Sequence, residues 1–148
     1  MGSIGDGGFD LAQAKALLAG VFAPWVQDLQ LSVERIDPPD AKTGAGAVLR
    51  MAFSDRLCRE GGVICGQALM ALADTAMVFA VSAASRGYRP MTTVDQTSHF
   101  LKPTSRSDVL ADARIVRLGK TMAFGQVMLT AVSDGKPVAM VSSAYAVM

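Results

Sequence analysis

The sequence predicts an α+β fold in which an antiparallel sheet wraps around one long buried helix. Three observations predict it. From about Gln67 to Ser85 the chain is rich in Ala, Leu and Met, has no Gly or Pro and carries a single charge, Asp74. Such a helix is apolar nearly all round and must be enclosed on most sides. Ahead of it lie two runs of alternating polarity, the period of half-buried strands. Behind it lie four more strand-like runs, joined by connections too short for parallel crossovers.

Taken in order, residues 1–8 read as a flexible end and residues 9–148 as one domain. That length is enough for one core and too short for two ordinary domains. Asp10 and Gln13 have the spacing of a capping box for a helix from about Asp10 to Gly20, with Leu11, Ala14, Leu18 and Val21 recurring on one face. Gly20 and Pro24 are its stop signals. Leu29, Leu31 and Val33 alternate with Gln30, Ser32 and Glu34 in a first strand that Pro38 and Pro39 end. Ala47, Leu49, Met51 and Phe53 mark a second. The short loop between them predicts an antiparallel pair. After the helix, strands are expected at about Met91 to Leu101, Val109 to Leu118, Thr121 to Val132 and Val138 to Val147, forming a meander. Asp134-Gly135 is the hairpin signal before the last.

Composition excludes several functions. The 14 basic and 13 acidic residues leave a net charge of +1, which gives no electrostatic reason to expect nucleic acid or an anionic membrane as partner. The apolar share, 51%, is slightly above the usual one, and part of the excess is assigned to a subunit interface. Two cysteines, Cys58 and Cys65, and one histidine support neither a disulfide framework nor a metal site. A reducing, cytoplasmic setting fits. Residues 61–85 have the length of a membrane span, yet Asp74 at the centre adds about 2.5–3.5 kcal/mol to insertion, so no membrane is expected. Gly119-Lys120-Thr121 is not a phosphate-binding P-loop, because Arg114 stands where that motif needs glycine.

Asp74 needs a reason to exist. An unpaired carboxylate in an apolar interior costs several kcal/mol or more, so a sequence keeps one where it is paired, hydrogen-bonded or used. Eight residues earlier stands Gly66, at the expected helix start, where a backbone N–H has no intrahelical partner and lies at the positive end of the dipole. A fixed N–H donor and a carboxylate can together polarise a carbonyl and assist attack on it. Eight helical residues span about 12 Å, too far for both groups to touch one carbonyl on a straight helix. Either Gly66 lies in a loop folded back over the helix, or the two groups serving one substrate come from different subunits.

The residues also carry a resemblance. Gly62-Val-Ile-Cys65-Gly66-Gln67 and the following Ala-Leu-Met-Ala-Leu-Ala-Asp74 are similar to the signature of hotdog-fold acyl-CoA thioesterases of the phenylacetic-acid-degradation (PaaI-like) family: Asn-x-x-Gly-x-x-His-Gly-Gly, six residues, then Asp or Glu. Thr93-Val-Asp95, Phe100-Leu-Lys-Pro103, Arg117-Leu-Gly119-Lys120-Thr121 and Asp134-Gly135 resemble later blocks of the family, in the same order. The resemblance, which runs from about Leu29 to the end, implies a hotdog fold. It also implies a homodimer or a dimer of dimers with active sites at the dimer interface, and an acyl-CoA substrate with no separate cofactor and no metal. In it Asp74 is base or nucleophile and the Gly66 N–H polarises the carbonyl. Thr75, Lys102, Arg106, Arg117, Gly119, Lys120 and Thr121 are the further substrate-binding candidates, each cation also readable as a solvated turn residue.

The departures fall beside the expected chemistry. The signature's His is Cys65 here, its second Gly is Gln67 and its Asn is Arg59. Cys65 is either a nucleophile near a helix start or a small buried residue. Gln67 either donates to substrate or caps the helix, and Arg59 binds phosphate or an acidic acyl group or is an exposed loop charge. His99, on one strand face with Asp95 and Thr97, reads as an interface residue. Three functions follow: acyl-CoA hydrolysis, a non-catalytic acyl-CoA-binding hotdog, and a hotdog hydratase, which Cys65 in place of histidine argues against.

Overall fold

The computed structural model describes residues 8–148. The flexible end expected over residues 1–8 therefore lies outside the described residues except for Gly8.

Helix α1, Leu11–Gly20, starts as the sequence predicts. Asp10 accepts from the Gln13 N–H and Gln13 accepts from the Asp10 N–H, each at 2.8 Å. Its buried residues are Ala14 and Leu17, while Leu11 and Val21 are exposed, so the apolar face is turned from the one expected. Pro24 is not only a stop. It opens α2, Pro24–Gln27, where its fixed φ and missing N–H suit the first helical position. Gln30 then takes a positive φ of 54°, which ends any strand alternation before Leu31.

Strands β1, Leu31–Asp37, and β2, Gly46–Met51, form the expected antiparallel pair. Helix α3, Gly66–Ser85, follows, and Arg86 closes it in the left-handed conformation. β3, Met91–Phe100, β4, Val109–Leu118, β5, Met122–Ala131, and β6, Pro137–Val147, complete one antiparallel sheet in the order β1-β2-β4-β5-β6-β3. The four-strand meander is thus corrected. Only β4, β5 and β6 meander, while β3 pairs with β6 and β4 with β2. The connection after β3 is pinned elsewhere: Thr104 accepts from the Ile64 N–H ahead of α3 before the chain enters β4 between β2 and β5.

The inner face of the sheet holds Leu49, Met51, Ala111, Ala113, Val127 and Leu129 against Leu72, Ala73, Met77 and Phe79 of α3. Gly125 allows the close approach, since a Cβ there would meet Met77 Cε at 2.5 Å. Phe9 and Phe22 close over Phe79 from the other side. The helix has the length and composition of a membrane span, but 67% of that window is buried in this core.

The sheet has two edges. β1 is short, bulged between Val33 and Arg35, and packed by α1. β3 is ten residues long and mostly exposed, with Val94 at 60%.

Candidate active site

Asp74 lies on the one stripe of α3 that the sheet does not cover, with Gln67, Met70, Ala71 and Val78. That stripe runs beside the inner face of β3. Alternation, shifted by a bulge between Thr93 and Asp95, puts Thr93, Gln96 and Phe100 on this inner face, and each reaches the helix at a different level. Thr93 Oγ1 donates to Asp74 Oδ1 at 2.8 Å, Gln96 donates its amide to the Met70 carbonyl at 3.1 Å, and Phe100 lies over Gly66. A second donor comes from β6. The Tyr145 hydroxyl bonds Asp74 Oδ1 in a short hydrogen bond and also reaches the Asp74 carbonyl oxygen at 3.0 Å. Burial, then the Asp74 charge and hydrogen bond, hold the Tyr145 phenol well above its ordinary range, so it remains a donor. Oδ2 of Asp74 accepts nothing among the described residues.

Gly66 is the first residue of α3 and Cys65 its N-cap, without a side-chain capping bond. Because α3 is regular from Gly66 onward, the folded-back loop is ruled out. The Gly66 N–H and the Asp74 carboxylate sit two turns apart, about 12 Å along one axis. A Cβ at Gly66 would lie 3.1 Å from Phe100 Cζ, so glycine is what fits beneath that ring. The amides of Gly66 and Gln67 have no acceptor among the described residues. Clefts open on both sides of this helix start. One, of about 350 Å³, is lined by Arg59, Gly66, Phe100 and Lys102, and the other, of about 200 Å³, by Trp25, Leu57, Cys65 and Gln67.

The sequence model of the thioesterase superfamily matches residues 61–138, just over half of the chain and the part that holds Gly66, Asp74 and Thr93. The chain belongs to the thioesterase superfamily. It is a thioester hydrolase by that membership. No curated protein matches this thioesterase in sequence. Its structure is similar to that of zebrafish thioesterase superfamily member 2, at 23% identity and a TM-score of 0.80, over 95% of this chain and 99% of that one. The Escherichia coli PaaI protein from the phenylacetic acid degradation operon is 19% identical with a TM-score of 0.76, over 93% of each chain. A mutant of the phenylacetic acid degradation protein PaaI of Thermus thermophilus is 24% identical with a TM-score of 0.72, over 85% of this chain and 100% of that one. At these identities the likeness shows the fold, which is the expected hotdog.

Within the thioesterase the expected residues separate into groups. Gly66, Cys65, Gln67 and Arg59 gather at the helix start, and Lys102 joins them, its ammonium 3.1 Å from Asp134. Gln67 caps nothing, and Arg59 is exposed, its guanidinium donating to the Glu60 carbonyl. Arg117, Gly119, Lys120 and Thr121 lie at the β4–β5 turn, at the opposite end of the sheet, where Thr121 accepts from the Val147 N–H. Arg106 lies apart from them on the exposed connection after β3, with a positive φ of 50°. Thr75 is not brought to the site: it is 4% exposed, and its hydroxyl turns back to the Ala71 carbonyl, as helical threonines in a core do. His99 is exposed on the outer face of the sheet with Asp95 and Thr97, opposite Met140.

Sequence reasoning passed over Thr93, Phe100 and Tyr145 as site residues. Strand parity held the signal: the inward positions of β6 read Val141, Ser143, Tyr145, Val147, a buried phenol among small residues. A wider depression, about 690 Å³, lies on the outer face of the sheet between Arg35, Val48, Arg114, Met128 and Met140. None of the expected residues line it. Its two guanidinium groups are already engaged, since Arg114 meets Asp112 at 2.6 Å and Asp37 at 2.7 Å, and Arg35 meets Asp37 at 3.1 Å.

Proposed function

We propose that the chain hydrolyses acyl-CoA thioesters, aryl-acetyl or medium-chain, to the free acid and CoA, as a homodimer or dimer of dimers whose active sites each draw on two copies. In one copy, Asp74 Oδ2 takes a proton from water as that water attacks the carbonyl carbon. The Gly66 N–H of the other copy holds the oxyanion until the thiolate leaves. Direct attack by the carboxylate is the alternative first step.

One observation carries this reading: the held carboxylate and the unfilled helix-start amide lie two turns apart on the uncovered stripe of α3, beside the open edge of β3. Suppose that two copies pair their β3 strands antiparallel about a midpoint near Asp95 and Gln96. The Phe100 end of each then comes beside the Met91–Thr93 end of its partner, and the Gly66 end of one helix approaches Asp74 of the other. The same pairing draws Arg59 and Lys102 of one copy towards Arg117, Lys120 and Thr121 of the other. That joins the two groups of cations around one set of CoA phosphates. The similarity to two PaaI proteins of phenylacetic acid degradation supports the aryl-acetyl choice. The reading uses one domain over residues 9–148 and no cofactor beyond the CoA of the substrate. Two free cysteines support a cytoplasmic setting.

A non-catalytic acyl-CoA-binding role is favoured by Cys65, Gln67 and Arg59 standing where the signature has His, Gly and Asn. Thiol release from a panel of acyl-CoA thioesters, with protein cysteines subtracted, separates the two. Hydrolysis by the wild type and its loss in Asp74→Asn support the enzyme. Ligand-raised melting without any release supports binding alone. A solution mass of one chain, with hydrolysis intact, overturns the shared site.

A further inference from the structure

We propose that Tyr145 is a positioning residue for Asp74: its buried hydroxyl pins one carboxylate oxygen and thereby turns the other, as base, to the open side of α3. The inference rests on the reading of Asp74 given above.

The geometry is specific. Tyr145 is 1% exposed, its ring fixed in the core on the inward face of β6. Its hydroxyl lies between Oδ1 and the main-chain carbonyl of the same residue, Asp74, so it reads both the side chain and the helix backbone. Thr93, from β3, takes the remaining approach to Oδ1. Two donors from two strands on one oxygen fix the carboxylate rotation and leave Oδ2 without a protein partner among the described residues. Ser143 stands one inward position before Tyr145, 6% exposed, with its hydroxyl beside the phenol and no hydrogen-bond partner among the described residues.

The arrangement is also electrically isolated. Asp74 is the only charge on α3, and among the inward faces of β1 to β6 Tyr145 is the only ionisable side chain. Asp95 and His99 of β3 face the outer side. Hydrogen bonds from Tyr145 and Thr93 therefore dominate what stabilises the carboxylate within one copy. Removing either one frees the carboxylate to rotate, so that Oδ2 is no longer held to the open side of α3.

Tyr145→Phe removes the hydroxyl and keeps the ring. In this variant kcat is expected to fall roughly tenfold with KM within about twofold, since the interaction acts on the base and not on the ligand. Carbon-13 NMR of the Asp74 carboxyl, assigned by its absence in Asp74→Asn, is expected to show a changed chemical shift whether or not substrate is present. Thr93→Val, which removes the other donor, is expected to lower kcat and move the same signal, and serves as the second variant should Tyr145→Phe fold poorly. A folded Tyr145→Phe with unchanged kcat and an unmoved Asp74 signal overturns the inference. A moved Asp74 signal with unchanged kcat instead upholds the positioning and overturns Asp74 as the base.

Discussion

The middle of α3 and its start treat polar groups in opposite ways. Around Asp74 the protomer is finished: Thr93 and Tyr145 converge on one oxygen, and Gln96 fastens β3 to the helix one turn away. Around Gly66 it is open, with uncapped amides, clefts on both sides and three residues that depart from the family signature. The difference teaches that the carboxylate is prepared by its own chain, whereas the carbonyl-holding end waits for something to arrive. It also says where change is tolerated. A residue buried in a hydrogen-bonded cluster cannot vary without leaving a partner unsatisfied, but a residue in an open cleft can.

The comparison is most directly broken at its finished end. Asp74→Asn keeps an acceptor for Tyr145 and Thr93 but loses the base. Steady-state kinetics is expected to show kcat down roughly 10²–10⁴-fold. Calorimetry is expected to find stability within about 1 kcal/mol of wild type, since a carboxylate kept for chemistry is seldom kept for stability. A loss of several kcal/mol would mark it as a structural acid instead.

Next comes the donor. Gly66→Pro deletes the N–H at the first helical position, where proline is accepted, and Cys65, at φ −72° and ψ 152°, already has the extended backbone that precedes proline; Gly66→Ala, which adds the same Cβ against Phe100 but keeps the N–H, is its control. A fall of about 10²–10³-fold in kcat with helical circular dichroism unchanged is expected. Equal activity would remove Gly66 from the mechanism. At the open rim the effects shrink. Arg59→Ala is expected to raise KM for the CoA ester a few-fold and leave kcat alone, as a lost phosphate contact does. Smallest of all, Cys65→Ser is expected to stay within about twofold in kcat, because the thiol is hydrogen-bonded to no base among the described residues. A large drop there would reverse the ranking of the two ends.

Much of this was legible in the sequence. Asp10 and Gln13 announced α1, the uncharged run announced α3, and the alternation of polar and apolar residues set the bounds of β4 to within a residue. Strand order was not legible. Periodicity tells which face a strand buries but not which neighbour it takes, and the bond from Ile64 to Thr104 that carries the chain away after β3 has no signature. The turned face of α1 has a similar cause, since Leu11 and Val21 are as apolar as Leu17 and only tertiary packing distinguishes them. Within the site, Asp74 stood out because a lone charge in an apolar run has a high cost. Thr93 and Tyr145 did not, because threonine and tyrosine are ordinary strand residues until a register puts them opposite a carboxylate.

The two-turn gap between Gly66 and Asp74 has a genetic consequence. If each site takes one group from each copy, two dead proteins can repair one another. Asp74→Asn retains a good Gly66, and Gly66→Pro retains a good Asp74. Mixed and reassorted, half the dimers hold one of each, and every such dimer has one intact site and one doubly broken one. Activity is then expected to return to about a quarter of wild type on mixing two inactive samples. A protein carrying its whole site in one chain cannot be rescued in this way.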